Sequence, residues 1–312
     1  MKQERARILI VDDETFNLQF LTELFLDDYN ISPVKDGVKA LRLAESLVPE
    51  LIILDVVMPG MDGYALIRAL KENPKTRHIP VIFLTSLDSD RDEEKGLSLG
   101  AVDYIGKPFH PAIVKARVNN MLELVEHRKL VERIAMLDGL TGIPNRRAYD
   151  LRLQDEWKRA CRSREPFSLA MLDIDYFKLY NDSYGHAGGD QVLRRIAGAM
   201  TRVLRRSSDF VGRYGGEEFA LIMPATPGDV AWGIAERICR EIRNLGIEHR
   251  ASRPAGVVTI SVGGATILPS PEGNLANFTR YVDQMLYLAK EKRNRAVWDD
   301  FPPSAGKRLA QA

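Results

Sequence analysis

Asp12, Asp13 and Asp55 are the first residues of this chain whose type and spacing could do chemistry. Asp12 and Asp13 end the apolar run RILIV and Asp55 ends LIIL, while Thr85 and Lys107 close two later runs, VIFL and VDYI, in the same way. If these runs are strands of one parallel sheet, their carboxyl ends line a single edge, which is where ligands bind. Three carboxylates gathered there repel one another unless a hard cation sits among them, and an oxygen-rich set of this kind suits Mg²⁺. With the ion and Lys107 neutralising three phosphoryl oxygens, one carboxylate can attack a phosphoryl donor. Asp55 is the best candidate for that nucleophile.

A second set lies further along. LDIDYFKLYND puts Asp173 at the end of an apolar strand, with Tyr176, Phe177 and Lys178 entering a turn or helix start whose free N–H groups suit a phosphate. RYGGEEF sets Glu217 and Glu218 beside a two-glycine turn, where positive φ is permitted and no side chain blocks a phosphate. If the two strands are neighbours, Asp173 and Glu217 meet across the sheet and can share Mg²⁺, with Mn²⁺ as the alternative. The two glutamates are expected on an exposed turn. Asn181 and Asp190 supply an amide and a carboxylate, a pairing that can read guanine.

The elements that must hold these residues follow from hydrophobic pattern. Up to about residue 108, β-branched runs alternate with amphipathic stretches (Phe16–Leu26, Tyr64–Leu70, Asp90–Leu99), which predicts an α/β, doubly wound parallel sheet. After Pro111 neither Gly nor Pro interrupts the chain until Gly139, and Val114, Val118, Met121, Leu122, Val125, Leu130, Ile134 and Leu137 recur at steps of three to five. One long helix can therefore run on to residue 137, either as a last helix packed on its own sheet or, as its length favours, as a stalk whose distal half pairs with a second chain. Beyond it the pattern becomes α+β. Helix Arg147–Cys161, strand FSLAMLDID, helix Asp190–Leu204, the strands DFVGRY and EFALIM, helix Val230–Leu245, strand VVTISVGGA and helix Phe278–Lys292 are expected in that order. Residues 299–312, rich in Pro and small polar side chains, read as a flexible tail.

With 312 residues, 45% hydrophobic and 28% charged, the chain holds enough apolar material for two cores. Its 44 Lys+Arg against 43 Asp+Glu leave a net charge of +1, so no broad basic field invites nucleic acid or an acidic membrane. No apolar run approaches the roughly 18 residues of a membrane helix, and the first residues lack a signal-peptide core, which predicts a cytoplasmic protein. Cys161 and Cys239 have neither CxxC spacing nor a nearby His, so neither a disulfide framework nor a zinc site is expected. A DNA-binding output lacks any basic recognition helix.

Residues 7 to about 125 resemble the response-regulator receiver domain, on Asp12, Asp13, Asp55, Thr85, Tyr104 and Lys107 in KPF, with VMPGMDG after Asp55 matching the family's turn. The resemblance implies a metal held by Asp12, Asp13, Asp55 and the Val57 carbonyl. It makes Asp55 the phosphoacceptor, Thr85 the switch hydroxyl, Tyr104 the rotating aromatic and Lys107 the phosphate sensor. Residues 138–298 resemble the GGDEF diguanylate cyclase domain, on DGLTGIPNRR, the Asn181–Asp190 stretch and GGEEF, a functional variant of GGDEF. That resemblance implies Mg²⁺ on Asp173, the Ile174 carbonyl and Glu217, with Glu218 as base or second metal carboxylate. Backbone N–H groups of Tyr176 and Phe177, with Lys178, would hold the terminal phosphates of GTP, and Asn181 and Asp190 its guanine. His186 looks structural. The family's late phosphate-contacting segment usually reads AKxxGRN, whereas this chain has AKEKRN at Ala289–Asn294: the resemblance implies GTP contacts from Lys290, which matches, and from Arg293 in place of the usual Arg, one residue early and so rotated by about 100° on a helix.

Together the resemblances imply a phosphorylation-regulated diguanylate cyclase that condenses two GTP into cyclic di-GMP, works as a homodimer or larger homo-oligomer, and answers a sensor histidine kinase. A degenerate module that only binds nucleotide is the rival, and the intact carboxylates argue against it. Arg206 and Asp209 form an RxxD at the offset from GGEEF where the family carries its product-inhibition site, and Arg237 lies at the spacing of that site's second arginine.

Overall fold

The computed structural model describes residues 5–86, 96–252, 255–270 and 273–301. The chain divides into two compact units, Met1–Val131 and Glu132–Ala312.

In the first unit, β1 (Arg7–Val11), β2 (Asn30–Val34), β3 (Leu51–Asp55), β4 (Val81–Ser86) and β5 (Asp103–Lys107) form an all-parallel sheet in the order β2-β1-β3-β4-β5. Helices α1 (Thr15–Phe25), α2 (Gly37–Leu47), α3 (Gly63–Glu72) and α4 (Pro111–Ile134) accompany it. Alternate residues of β1 and β3 enter separate cores: Leu9, Val11, Ile52 and Leu54 pack with α2 and α3, while Ile8, Ile10, Leu51 and Ile53 pack with α1 and α4. Burial on both faces is why these strands read as unbroken apolar runs. Asp36 and Asp62 cap α2 and α3 by accepting from Lys39 N–H and Ala65 N–H. Strand β2 was not resolved by the pattern because NISPV is only half-buried and carries Pro33, which an edge strand accommodates. The helix expected at Asp90–Leu99 falls largely outside the described residues; 96–98 are helical. The long helix is present but ends at Ile134, and Leu137 instead forms a bridge with Pro144.

The second unit is a mixed sheet in the order β10-β9-β6-β8-β7, built from β6 (Phe167–Ile174), β7 (Phe210–Gly215), β8 (Glu218–Pro224), β9 (Ile260–Ile267) and β10 (Ala296–Asp300). Only the β9–β10 pair is parallel. Central β6 is buried throughout, sending Ala170, Leu172 and Ile174 into one core and Phe167, Leu169 and Met171 into the other. Its helices are α5 (Arg146–Ser163), α6 (Phe177–Val203), α7 (Gly228–Asn244) and α8 (Leu275–Lys292). Helix α6 begins thirteen residues before the expected Asp190 and absorbs the Asn181–Asp190 stretch, bending at Gly185, whose φ of 76° and ψ of 161° are not helical. Gly263 lets α8 lie directly on β9, since a Cβ there would collide with the Leu286 backbone. Asp299 and Asp300 extend β10 past the expected domain end at 298, and residues 302–312 of the expected tail lie outside the described residues.

Candidate functional sites: two carboxylate pockets

In the first unit the strand ends converge as the parallel sheet requires. Single carboxylate oxygens of Asp12, Asp13 and Asp55 lie within 4.8 Å of one another, among the described residues the one acidic cluster this tight. Lys107 Nζ sits 2.9 Å from Asp55 Oδ2 and 3.2 Å from Asp12 Oδ2. Asn17, which pattern reading missed, donates from Nδ2 to Asp12 Oδ2 at 2.9 Å, and Glu14 N–H donates to Asp12 Oδ1 at 2.8 Å. Burial raises the Asp55 pKa, with the Asp12 charge adding and Lys107 and the Val57 N–H opposing. The Lys107 ammonium is held above its ordinary value by Asp55 and Asp12 despite burial. Thr85 is buried in β4 and half-buried Tyr104 lies in β5; both line one pocket with Val56, Phe83, Leu97 and Ala101. Arg117 reaches Asp103 at 2.6 and 2.7 Å and lies over the Tyr104 ring at 5.7 Å. The Val57 side chain is exposed.

In the second unit β6 and β8 are neighbours, but the residue opposite Asp173 is Glu218, not Glu217 as expected. Gly216, at φ 52°, and Glu217 form the two-residue hairpin turn between paired Gly215 and Glu218, and a register shift at Arg213/Gly215 sets which glutamate faces β6. Glu217 meets the strand through its backbone, its carbonyl accepting from Ile174 N–H at 3.4 Å. Both glutamates are half-buried rather than exposed. Lys290, at the end of α8, donates to Asp173 Oδ2 at 2.7 Å. Burial pushes the Asp173 pKa up to about 6, Lys290 opposing and Glu217 and Glu218 adding. A buried carboxylate that already draws in one cation, with two more carboxylates beside it, is a donor set suited to a divalent ion.

Beyond Asp173 the chain turns into α6. Tyr176 takes a left-handed conformation at φ 57° and ψ 29°, which costs a non-glycine residue about 1 kcal/mol, and starts the helix without a side-chain cap. Arg293, at φ 58°, stacks its guanidinium 4.1 Å from the Tyr176 ring. Asp175, also missed, is buried and accepts from Thr259 Oγ1 at 2.7 Å, Ser261 Oγ at 2.6 Å and Asn294 N–H at 2.9 Å. Through Lys290, Arg293 and Asn294 the 290–294 segment thus grips Asp173, Tyr176 and Asp175 in turn. Lys178 is exposed on the first turn of α6. The bend at Gly185 brings Asn181 against Gly189, leaving Asn181 Oδ1 buried without a hydrogen-bond partner beside half-buried Asp190.

Comparison with known proteins fits both halves. The family described as "Diguanylate cyclase, GGDEF domain" matches residues 135–296, and the "Response regulator receiver domain" matches residues 8–119. The chain belongs to the GGDEF family. It is a diguanylate cyclase carrying a receiver domain. The response regulator PleD of Caulobacter vibrioides is 26% identical over 449 residues, covering 94% of this chain and 98% of PleD. Diguanylate cyclase DgcP of Pseudomonas aeruginosa is 38% identical over 178 residues, 56% of this chain and 26% of DgcP. Among solved structures, the coiled coil and GGDEF domain of DgcB from Caulobacter crescentus, in complex with c-di-GMP, aligns with a TM-score of 0.54 and 34% identity, covering 60% of this chain and 97% of that one. No helix among the described residues is long and apolar enough to cross a membrane.

Within the cyclase domain, the DGLTGIPNRR segment is tied to the GGEEF turn by Arg213. Its Nη1 reaches Asp138 Oδ1 at 3.1 Å while Nη2 and Nε donate to the Gly216 carbonyl at 2.8 and 3.0 Å. An arginine inside DFVGRY gave no sign of this in the sequence. His186 is exposed. The RxxD residues form a turn between α6 and β7, Asp209 N–H donating to the Arg206 carbonyl at 3.1 Å. Arg206 is exposed, and Asp209 Oδ1 is buried without a partner, burial raising its pKa. Arg237 is half-buried on α7.

Proposed function

We propose that this diguanylate cyclase condenses two GTP molecules into cyclic di-GMP and two pyrophosphates, under control of Asp55 phosphorylation. The observation that carries the reaction is the juxtaposition of Asp173 with Glu218 at the open end of the β6–β8 pair, beside the head of α6. Each GTP offers its 3′-hydroxyl to the α-phosphorus of the other. A new P–O bond forms, the bond to pyrophosphate breaks, and the hydroxyl proton must leave; Glu218 is positioned to accept it. Backbone N–H groups of Tyr176 and Phe177, with Lys178 and Lys290, hold the terminal phosphates, and Asn181 Oδ1 with Asp190 accepts guanine's N1–H and N2–H₂ donors. Mg²⁺, or Mn²⁺ in its place, would be held by Asp173, the Ile174 carbonyl and Glu217 and would neutralise the triphosphate. Because each hydroxyl attacks the other nucleotide, two copies must face one another, so the working form is a homodimer or higher homo-oligomer.

In the receiver domain, Asp12, Asp13 and Asp55, with the Val57 carbonyl, are the residues for the same ion, and Lys107 is in reach of oxygens added to Asp55. A phosphoryl group delivered by a sensor histidine kinase would draw Thr85 and then Tyr104, changing the surface that sets oligomer geometry in this cytoplasmic protein. Cyclic di-GMP held by Arg206 and Asp209, with Arg237 from a neighbouring domain, would feed back on the enzyme. Incubating the full chain with GTP and Mg²⁺ and weighing the product by mass spectrometry tests the reaction. A product lacking the mass of cyclic di-GMP, or none at all, would overturn it.

A further inference from the structure

The loop from Asp173 to Phe177 is held by groups from distant parts of the cyclase domain, and one of them is His249, in the segment between α7 and β9. His249 is fully buried, and its ring stands edge-on to Tyr180 at 5.2 Å. Nε2 lies 3.2 Å from the Tyr176 carbonyl oxygen. A carbonyl can only accept, so Nε2 carries the proton and Nδ1 bears a lone pair in the neutral ring. Nδ1 is buried without a hydrogen-bond partner, which a lone pair tolerates better than the second N–H of an imidazolium. Burial also lowers the His249 pKa. The residue is itself fixed on both sides: its N–H donates to the Gly256 carbonyl at 2.9 Å, and its carbonyl accepts from Ser252 N–H at 2.9 Å.

The carbonyl that His249 grips belongs to the left-handed residue of the loop, and it accepts as well from Tyr180 N–H at 3.0 Å in the first turn of α6. Two donors on one oxygen fix the plane of the Tyr176–Phe177 peptide. In a trans peptide the N–H points opposite to the C=O, so holding the Tyr176 carbonyl toward the buried imidazole turns the Phe177 N–H away from it. We propose that His249 is a positioning residue of this diguanylate cyclase, which through the Tyr176 carbonyl aims the Phe177 N–H at the terminal phosphates of GTP. The inference rests on the reading of this loop as the phosphate-binding one.

The test uses the full chain. His249→Phe keeps a flat ring against Tyr180 and removes the donor; His249→Gln returns an N–H. Calorimetry with Mg²⁺ and 3′-deoxy-GTP, which cannot condense, should show about tenfold weaker binding to the Phe variant and recovery in the Gln variant. GMP, which lacks the terminal phosphates, should bind all three proteins alike. Unchanged 3′-deoxy-GTP affinity, equal losses for both nucleotides, or no recovery with Gln would overturn the inference. If the Phe variant does not fold, ¹⁵N NMR of wild-type histidines decides: a protonated Nε2 and bare Nδ1 at pH 7 support the role, and the opposite tautomer or an imidazolium removes it. Wild type that binds these nucleotides but makes no cyclic di-GMP would sink the proposed reaction and leave the nucleotide comparison readable.

Discussion

In the receiver domain Lys107 bridges two carboxylates, at 2.9 and 3.2 Å, whereas in the cyclase domain Lys290 reaches only Asp173, at 2.7 Å. The sheets explain the contrast. Parallel strands deliver all their carboxyl ends to one edge, so Asp12, Asp13 and Asp55 converge within 4.8 Å before anything binds. In the cyclase domain the carboxylates come from antiparallel strands and the hairpin between them: Asp173 at the end of β6, Glu218 at the start of β8, Glu217 in the turn. Those side chains share an opening without forming an equally tight cluster, and a lysine from α8 balances one of them. The receiver carboxylates are gathered by the sheet itself, whereas those of the cyclase pocket are only brought to a common opening.

The comparison breaks most visibly at Glu218. Glu218→Gln should lower the rate of cyclic di-GMP formation by at least ~10²-fold, the scale of a lost acid–base group. Since the substitution removes one of three mutually repelling carboxylates, its melting temperature should hold or rise slightly. A variant as fast as wild type would take Glu218 out of the mechanism, and a large fall in melting temperature would make its role structural.

For the receiver pocket the expected effect is loss of regulation, not of chemistry. Asp55→Asn should still bind GTP but gain nothing from a small-molecule phosphodonor or from beryllofluoride, measured as the change in initial rate. Stimulation equal to that of wild type would refute the assignment of Asp55. Smaller again is the expected effect of Arg206→Ala, which should relieve inhibition by cyclic di-GMP at little cost in turnover. Calorimetry that finds no product bound to nucleotide-free wild type, or inhibition curves that coincide for the two proteins, would eliminate the RxxD site.

How much could be read in advance differs between the two domains for the same physical reason. The inner receiver strands are buried on both faces, so their apolar runs and the polar residues that end them are visible in sequence; of the two edge strands, β5 kept a short run, VDYI, while NISPV, half-buried and carrying Pro33, escaped. In the cyclase domain the carboxylates were legible but their partners were not. A bulge near Arg213 decides which glutamate opposes Asp173, and no periodicity encodes a bulge. Asp175, His249 and Arg213 act through contacts across 84, 73 and 75 residues of chain, and each looks in sequence like any other polar residue in a loop or strand. AVWDD was missed because β10 is short, acidic at its end and only partly buried.

The finest distinction between the pockets lies in their response to pH and Mg²⁺. Asp173 titrates near 6 in the folded protein against about 3.9 when unfolded, so the fold favours its protonated form. Stability contributed by this group is present in full below the unfolded value and is lost as pH rises toward and past 6. Asp55 shifts in the same direction, so the receiver pocket also loses stability as pH rises above the ordinary carboxylate range. Mg²⁺ should reverse both losses by binding the ionised forms, which makes the stabilisation it confers larger at pH 7.5 than at pH 5. Lys107 already neutralises two receiver carboxylates, while among the described residues no lysine pairs with Glu217 or Glu218. The pH-dependent part of the Mg²⁺ effect should therefore fall more in Asp173→Asn than in Asp55→Asn. Melting curves at the two pH values, with and without Mg²⁺, should resolve this as a difference of about 2–4 °C. Equal Mg²⁺ shifts at pH 5 and pH 7.5 in wild type would mean that neither aspartate binds the ion in its ionised form, and a larger fall in Asp55→Asn would reverse the ranking of the two pockets.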